Sequence, residues 1–481
     1  MSSIQEKILQ FLYSKKVILF LLSLLVATFP FGAYLFSVSI GFMSIYPYLL
    51  LLLILAVLGL YRKSFLSVKS EKFYVFFLLF LVLYAVSYLP FVESVYDAKV
   101  DIRNVFLMLV TAFVFIWTKD YLGFQVWKRQ LLGLLKIIYV MIVSFSILEL
   151  KTGIHIRGYF TDKIADLHMI GNIYTPVFLY DNPNNLTVYV FLIGLMILIL
   201  DGFTSKNYLL TIVIISTDFF IARLCKSRFG ELAAGVWLLW VFINLIRDKL
   251  KERRTLKRIT KFYLLWTIVV FSLGIMTFAL SPKYYSPIWT SSSDAIIERT
   301  KMEEDLPDSL IAMSKAIDLN STLLLEEKDV VDSVRPLVDR NYASGKIRMS
   351  LYFNGLEYVK DSYGLGIGPG QFRYKHSVGD KKYYTKTNIG PHFWLIELLS
   401  QFGIIPFLLY VLGVLYFVFF VLKKVKTSFY LKSLLLFSFP IFFILSVLPS
   451  GFLIFDVNWV FSVVLIICVN SAASKNGKLE A

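Results

Sequence analysis

The chain runs to 481 residues, 57% of them hydrophobic, with 49 Lys and Arg against 33 Asp and Glu for a formal net charge of +16. Soluble proteins are about 45–50% apolar. Here uninterrupted apolar runs recur at the length, about 20 residues, that crosses a bilayer core, which excludes a soluble enzyme, and a β-barrel would show short alternating segments instead. The positive charge gathers in short loops between apolar runs, which speaks for membrane orientation and against a nucleic-acid partner.

In chain order, spans are expected at 17–36, 41–60, 73–89, 105–117, 131–150, 186–200, 208–221, 232–246, 262–280, 393–422, 434–448 and 452–469. The fold class is therefore an all-α polytopic membrane protein of about twelve transmembrane helices. The first run is long enough to span and lacks a small-residue cleavage site, so it reads as a span and not as a signal peptide. The segment 393–422 exceeds one crossing, so its start is expected along the interface or tilted. The chain divides into a membrane domain at 1–280 with nine spans, a large external loop with short helices at 281–391, and a membrane domain at 392–481 with three spans. Cys225 ends one apolar run and Cys468 lies inside another, so neither belongs to a disulfide framework.

Orientation follows from Lys and Arg. With Lys7, Lys15 and Lys16 inside, alternate loops carry Arg62, Lys63, Lys69 and Lys72, then Lys119, Lys128 and Arg129, then the basic segment 247–261, then Lys423, Lys424, Lys426 and Lys432. Both termini are thus expected in the cytoplasm and the 281–391 excursion outside. The basic 247–261 segment reads as an anchor against anionic lipid.

Several polar groups fall on the predicted outer side. Asn184 and Asn185 lead into a span, where amides cap a helix or bind hydroxyl-rich ligands. Ser227 and Arg228 stand in a tight loop between two spans, where an arginine is costly unless it finds an anion; its planar fork suits phosphate oxygens. Arg348 precedes an amphipathic segment in the large loop. Glycines alternate at Gly364, Gly366, Gly368 and Gly370, so the backbone can adopt positive φ and line a cavity closely. His392 follows Pro391 at the mouth of a span, where an imidazole can act as a base near neutral pH. The other histidines, His155, His168 and His376, show no metal-ligand spacing with it or with one another, so no metal site is expected.

Taken in order, Asn-Pro-Asn before a span, Ser227-Arg228-x-Gly230, Arg348 upstream of the Gly364–Phe372 run, and Pro391-His392 leading to Glu397, Gln401 and Gly403 resemble the O-antigen ligase / O-antigen polymerase (Wzy-type) superfamily, which includes capsule, exopolysaccharide and teichuronic acid polymerases. The family's pattern places Asn after the His and an acidic residue before the Gly-Ile-Ile piece; Phe393 and Gln401 stand there in this chain. The resemblance implies a GT-C-like membrane glycosyltransferase in the bacterial cytoplasmic membrane. Its donor and acceptor would be undecaprenyl-pyrophosphate-linked oligosaccharides, with no cofactor, nucleotide sugar or metal, and a chain-length regulator and a flippase are conceivable partners. It further implies catalytic roles for His392, Arg228 and Arg348 and substrate contacts from Asn184, Asn185, Ser227, Gly366, Gly368 and Gly370. A ligase transferring finished glycan to a lipid or wall acceptor would use the same chemistry. A lipid-linked glycan transporter would instead show charges deep within spans and inverted repeats.

Overall fold

A computed structural model describes residues 10–34, 38–40, 43–62, 71–152, 176, 178–180, 183–204, 206–225, 227–251, 344–383, 385, 390–448, 451, 453 and 455–474. The expected span at 262–280 and the external loop from 281 to 343, where short helices were expected, lie outside these residues.

Several helices begin where the sequence supplies a cap or a proline. Helix α1 (Lys15–Thr28) starts behind Ser14, whose hydroxyl accepts from the Val17 amide. A short antiparallel hairpin, β1 (Val38–Ile40) and β2 (Met43–Ile45), follows. This corrects the expected second span, which was drawn from residue 41 in an all-helical chain. Pro47 sits in the first turn of α2 (Pro47–Tyr61), and Tyr46 before it is extended, so the helix cannot reach back further. Helix α3 (Lys72–Ser87) leads by a short turn to α4 (Val95–Leu122), whose Ser94 cap accepts from Asp97. That helix begins ten residues ahead of the expected span at 105. Asp97, Lys99, Asp101 and Arg103 read as loop by hydropathy, yet they continue the helix. Gly123, at φ +84°, then separates α4 from α5 (Phe124–Thr152).

The chain continues through α6 (Pro183–Asp201), α7 (Tyr208–Leu224) and α8 (Arg228–Lys251). Within the large loop lie α9 (Ser344–Asp361) and the short α10 (Gln371–Ser377). The long apolar segment at 393–422 is not one span. Gly403, at φ +85°, breaks it into α11 (Trp394–Phe402) and α12 (Ile404–Lys424). Helices α13 (Phe429–Leu445) and α14 (Asp456–Ala473) complete the described chain.

Seven of these helices are long and apolar enough to cross a membrane, and α2 and α13 are shorter apolar helices. The protein is a multi-pass membrane protein. Helix α6 is its axis: every residue from Asn185 to Leu200 is buried, and α5, α7 and α14 pack around it. Helix α12 lies at the other extreme, with most of its apolar side chains on the surface. Helix α8 packs along α13, α3 along α4, and α9 on α11.

Candidate active site

The turn between α7 and α8 rests directly on the start of α6. A Cβ at Gly230 would lie 2.6 Å from Thr187 Cγ2 and 2.9 Å from Ala222 Cβ, so only glycine lets the two backbones approach. Ser227 is buried, and its Oγ accepts from the Gly230 amide at 3.4 Å, which caps α8. Beside it Asn185 is buried and Asn184 partly so. Arg228 is exposed in the first turn of α8. A cation there adds to the positive end of the helix dipole instead of offsetting it, an arrangement that favours a bound anion. The carboxylate of the same turn, Glu231, is engaged by Arg223 at 3.0 Å.

Helix α9 lies over this turn. The Arg348 guanidinium stands 5.4 Å from the centre of the Phe229 ring, a cation–π distance. Burial pushes its pKa below the ordinary value, with the Tyr352 phenol acting the other way, but a guanidinium remains charged. Among the described residues no carboxylate forms an ion pair with Arg228 or Arg348. One turn on, the Tyr352 ring lies 5.6 Å from that of Phe393. Phe393 packs edge-on against Phe443 at 5.2 Å.

His392 precedes Phe393 and is 9% exposed, with φ +51°. A non-glycine residue in the left-handed region carries about 1–3 kcal/mol of strain, which persists only where the surroundings over-determine it. The structure therefore links the three catalytic candidates through their neighbours: Phe229 beside Arg228 touches Arg348, and Tyr352, one turn after Arg348, touches Phe393 beside His392.

The glycine run is arranged differently. Gly364, Gly366, Gly368 and Gly370 all have positive φ, as the sequence suggests, but their amides are occupied by the protein. Gly366 N donates to Ser362 Oγ at 3.0 Å, and Ile367 N and Gly368 N donate to the carbonyls of Ser400 and Gln401 at 2.9 Å each. Gly370 N donates to Asp101 Oδ2 at 3.0 Å and to Gln401 Oε1 at 2.6 Å. A Cβ at Gly370 would meet the Asp97 carbonyl oxygen at 2.2 Å. The run clasps α4 to α11, and the amides of Gly366, Gly368 and Gly370, expected to contact substrate, are engaged by the protein itself.

That clasp contains residues that sequence reasoning missed. Asp101 is buried and forms an ion pair with the partly exposed Arg373. Gln371 Oε1 accepts from the Glu93 and Ser94 amides at 3.0 Å each. Gln401, where the family pattern has an acid, holds Gly370 next to the carboxylate of Asp101. The charge density of 97–103 at the head of an otherwise apolar run was the available signal.

His376 belongs to the clasp as well. Its Nδ1–H donates to the Phe372 carbonyl at 2.9 Å, and its Nε2 accepts from Asn354 Nδ2 at 3.2 Å. Asn354 cannot turn over, because its Oδ1 accepts from the Lys382 and Tyr383 amides at 3.1 and 2.8 Å. This geometry holds the neutral tautomer, and burial lowers the pKa to about 4.

Compared with known families, residues 210–411 match the family model described as O-antigen ligase. The matched stretch runs from the first turn of α7 into α12 and contains Ser227, Arg228, Arg348, the glycine run and His392, while Asn184 and Asn185 precede it. No curated protein matches the chain significantly.

Proposed function

We propose, on the premise that residues 210–411 form an O-antigen ligase family domain, that the protein is a membrane glycosyltransferase acting on a glycan carried by undecaprenyl pyrophosphate. It transfers that glycan to a sugar hydroxyl of a second lipid-linked unit, so that repeat units grow into a surface polysaccharide at the outer face of the cytoplasmic membrane. The observation that supports this reading is a pair of contacts between neighbours of the candidates, Arg348 on the Phe229 ring beside Arg228 and Tyr352 on Phe393 beside His392, with no carboxylate among the described residues paired with either arginine.

In the proposed step the acceptor oxygen attacks the anomeric carbon and gives its proton to His392. The bond from that carbon to the pyrophosphate oxygen breaks, and the lipid pyrophosphate leaves with the electron pair. Its added negative charge falls toward Arg228 and Arg348, fixed cations in place before the reaction. Asn184, Asn185 and Ser227 border the α7–α8 turn and are proposed to contact the sugar or the phosphates.

The family description supports a second reading of the same chemistry, a ligase that transfers finished glycan to a lipid or wall acceptor. The product decides between them. Purified protein in liposomes given a lipid-linked repeat unit is expected to yield a ladder of lengths. A single transfer to a different acceptor favours the ligase, and no transfer to any acceptor contradicts both.

A further inference from the structure

A crevice of about 400 Å³ lies between α3, α12, α13 and α14. Its walls are aromatic along their depth, with Phe73, Phe77, Tyr410, Phe417, Phe439 and Phe442 among the lining side chains. It reaches Trp394 at the end of the bundle that carries α9–α11, and Lys72 and Asn470 at the opposite end. The α3 positions that line it, from Lys72 to Leu81, rise about 14 Å, so the crevice follows about half of a bilayer core. Its far end is closed by Glu71, paired with Lys119 at 3.0 Å. Sideways it is open: Phe73 and Tyr416 are 51% and 57% exposed.

Its position relative to the candidate site gives the crevice an occupant. Trp394 stands two residues after His392 and packs edge-on against Tyr410 at 5.8 Å. Phe393, between them, belongs to the ring chain that leads to Arg348. A lipid with its diphosphate between the arginines and His392 would lead its hydrocarbon past Trp394 into this space. Walls that are mostly apolar and aromatic, with the charged groups Glu71 and Lys72 at one end, suit hydrocarbon better than sugar. We propose that the crevice holds the polyisoprenyl chain of the lipid-linked donor, entering past Trp394 and ending short of the Glu71–Lys119 pair. Gly413 contributes by its lack of a side chain, since a Cβ there would lie 2.8 Å from the Phe73 ring. This assignment rests on the reaction proposed above, because only a lipid whose head is held at His392 has its chain delivered to Trp394.

The test is photolabelling of the full-length protein in nanodiscs with a diazirine-bearing undecaprenyl phosphate, the adducts being mapped by mass spectrometry. Adducts are expected on Tyr410, Phe417 and Phe442, competed by unlabelled undecaprenyl phosphate and not by phosphatidylglycerol. Filling the crevice with Val414→Trp should lower that labelling about tenfold, the equivalent of roughly 1.4 kcal/mol. Ser462→Phe, from the opposite wall, provides a second variant should the first fail to fold. Adducts scattered over outward-facing residues such as Phe20 and Ile137, or competed equally by phosphatidylglycerol, overturn the proposal. Specific labelling of a protein that transfers no sugar leaves the crevice assignment standing and removes the proposed reaction. Sugar transfer without crevice labelling does the reverse.

Discussion

His392 combines three properties that rarely coincide: an imidazole, near-complete burial and a left-handed backbone. Glycine accepts that backbone freely, so His392→Gly separates the two roles of the residue. Thermal stability should be unchanged or slightly raised, while transfer falls by about 10²–10⁴-fold, the usual value of a general base. A variant that retains full transfer removes the base assignment. His376 makes a prediction of the opposite kind, on stability alone. Above about pH 6.5 its ring is neutral both folded and unfolded. As pH falls from there toward about 4, the unfolded chain takes up a proton that the folded clasp refuses, so stability declines across that window. The loss amounts to about 3 kcal/mol at most. His376→Phe should flatten the dependence of melting temperature on pH between these limits; an unchanged slope contradicts the assigned tautomer. His392 was legible as a candidate because it opens a span, and His376 was legible only as a histidine without metal-ligand partners. Its actual work depends on Asn354, which lies 22 residues away and is brought opposite only by the fold.

Among the elements, the break between α11 and α12 shows what hydropathy can and cannot see. The segment 393–422 is mostly apolar, with Glu397 and Gln401 in its first third, and is too long for one span, from which the sequence predicts a start along the interface or a tilt. The interruption is Gly403, whose missing Cβ leaves room for the Leu365 carbonyl oxygen at 2.1 Å from the position it would take. Gly403→Ala should therefore cost about 3 kcal/mol or more, from the left-handed φ and the clash together, measured as a lower midpoint of thermal unfolding in detergent. Asp101→Ala should cost about 1–3 kcal/mol, since it removes the partner of the partly buried Arg373 and an acceptor of the Gly370 amide. A loss well below 1 kcal/mol in either would show that the clasp does not hold α4 to α11. The alternation of the glycines was plain in the sequence. Their partners were not, because Asp101 lies 269 residues from Gly370 and spacing carries no information across that separation.

For the whole molecule, apolar run length gave most of the helices and their order, since a bilayer imposes the same length on every span. It missed the charged first turns of α4, which are helical because the Ser94 cap and the Arg373 pair make them so. The proposed site draws on four distant pieces, the start of α6, the α7–α8 turn, α9 and the residues before α11, carried on a bundle whose axis is α6. The central claim is that two arginines from different pieces act on one diphosphate beside His392. A double-mutant cycle on kcat/KM for glycosyl transfer, with purified wild type, Arg228→Ala, Arg348→Ala and the double variant in liposomes, tests it most directly. Each single change should lower the value by about 10²-fold or more, and the double variant should fall well short of the product of the two losses, because residues acting as a unit are not additive. Losses that multiply in full, or an arginine whose removal leaves transfer intact, would contradict the shared pocket.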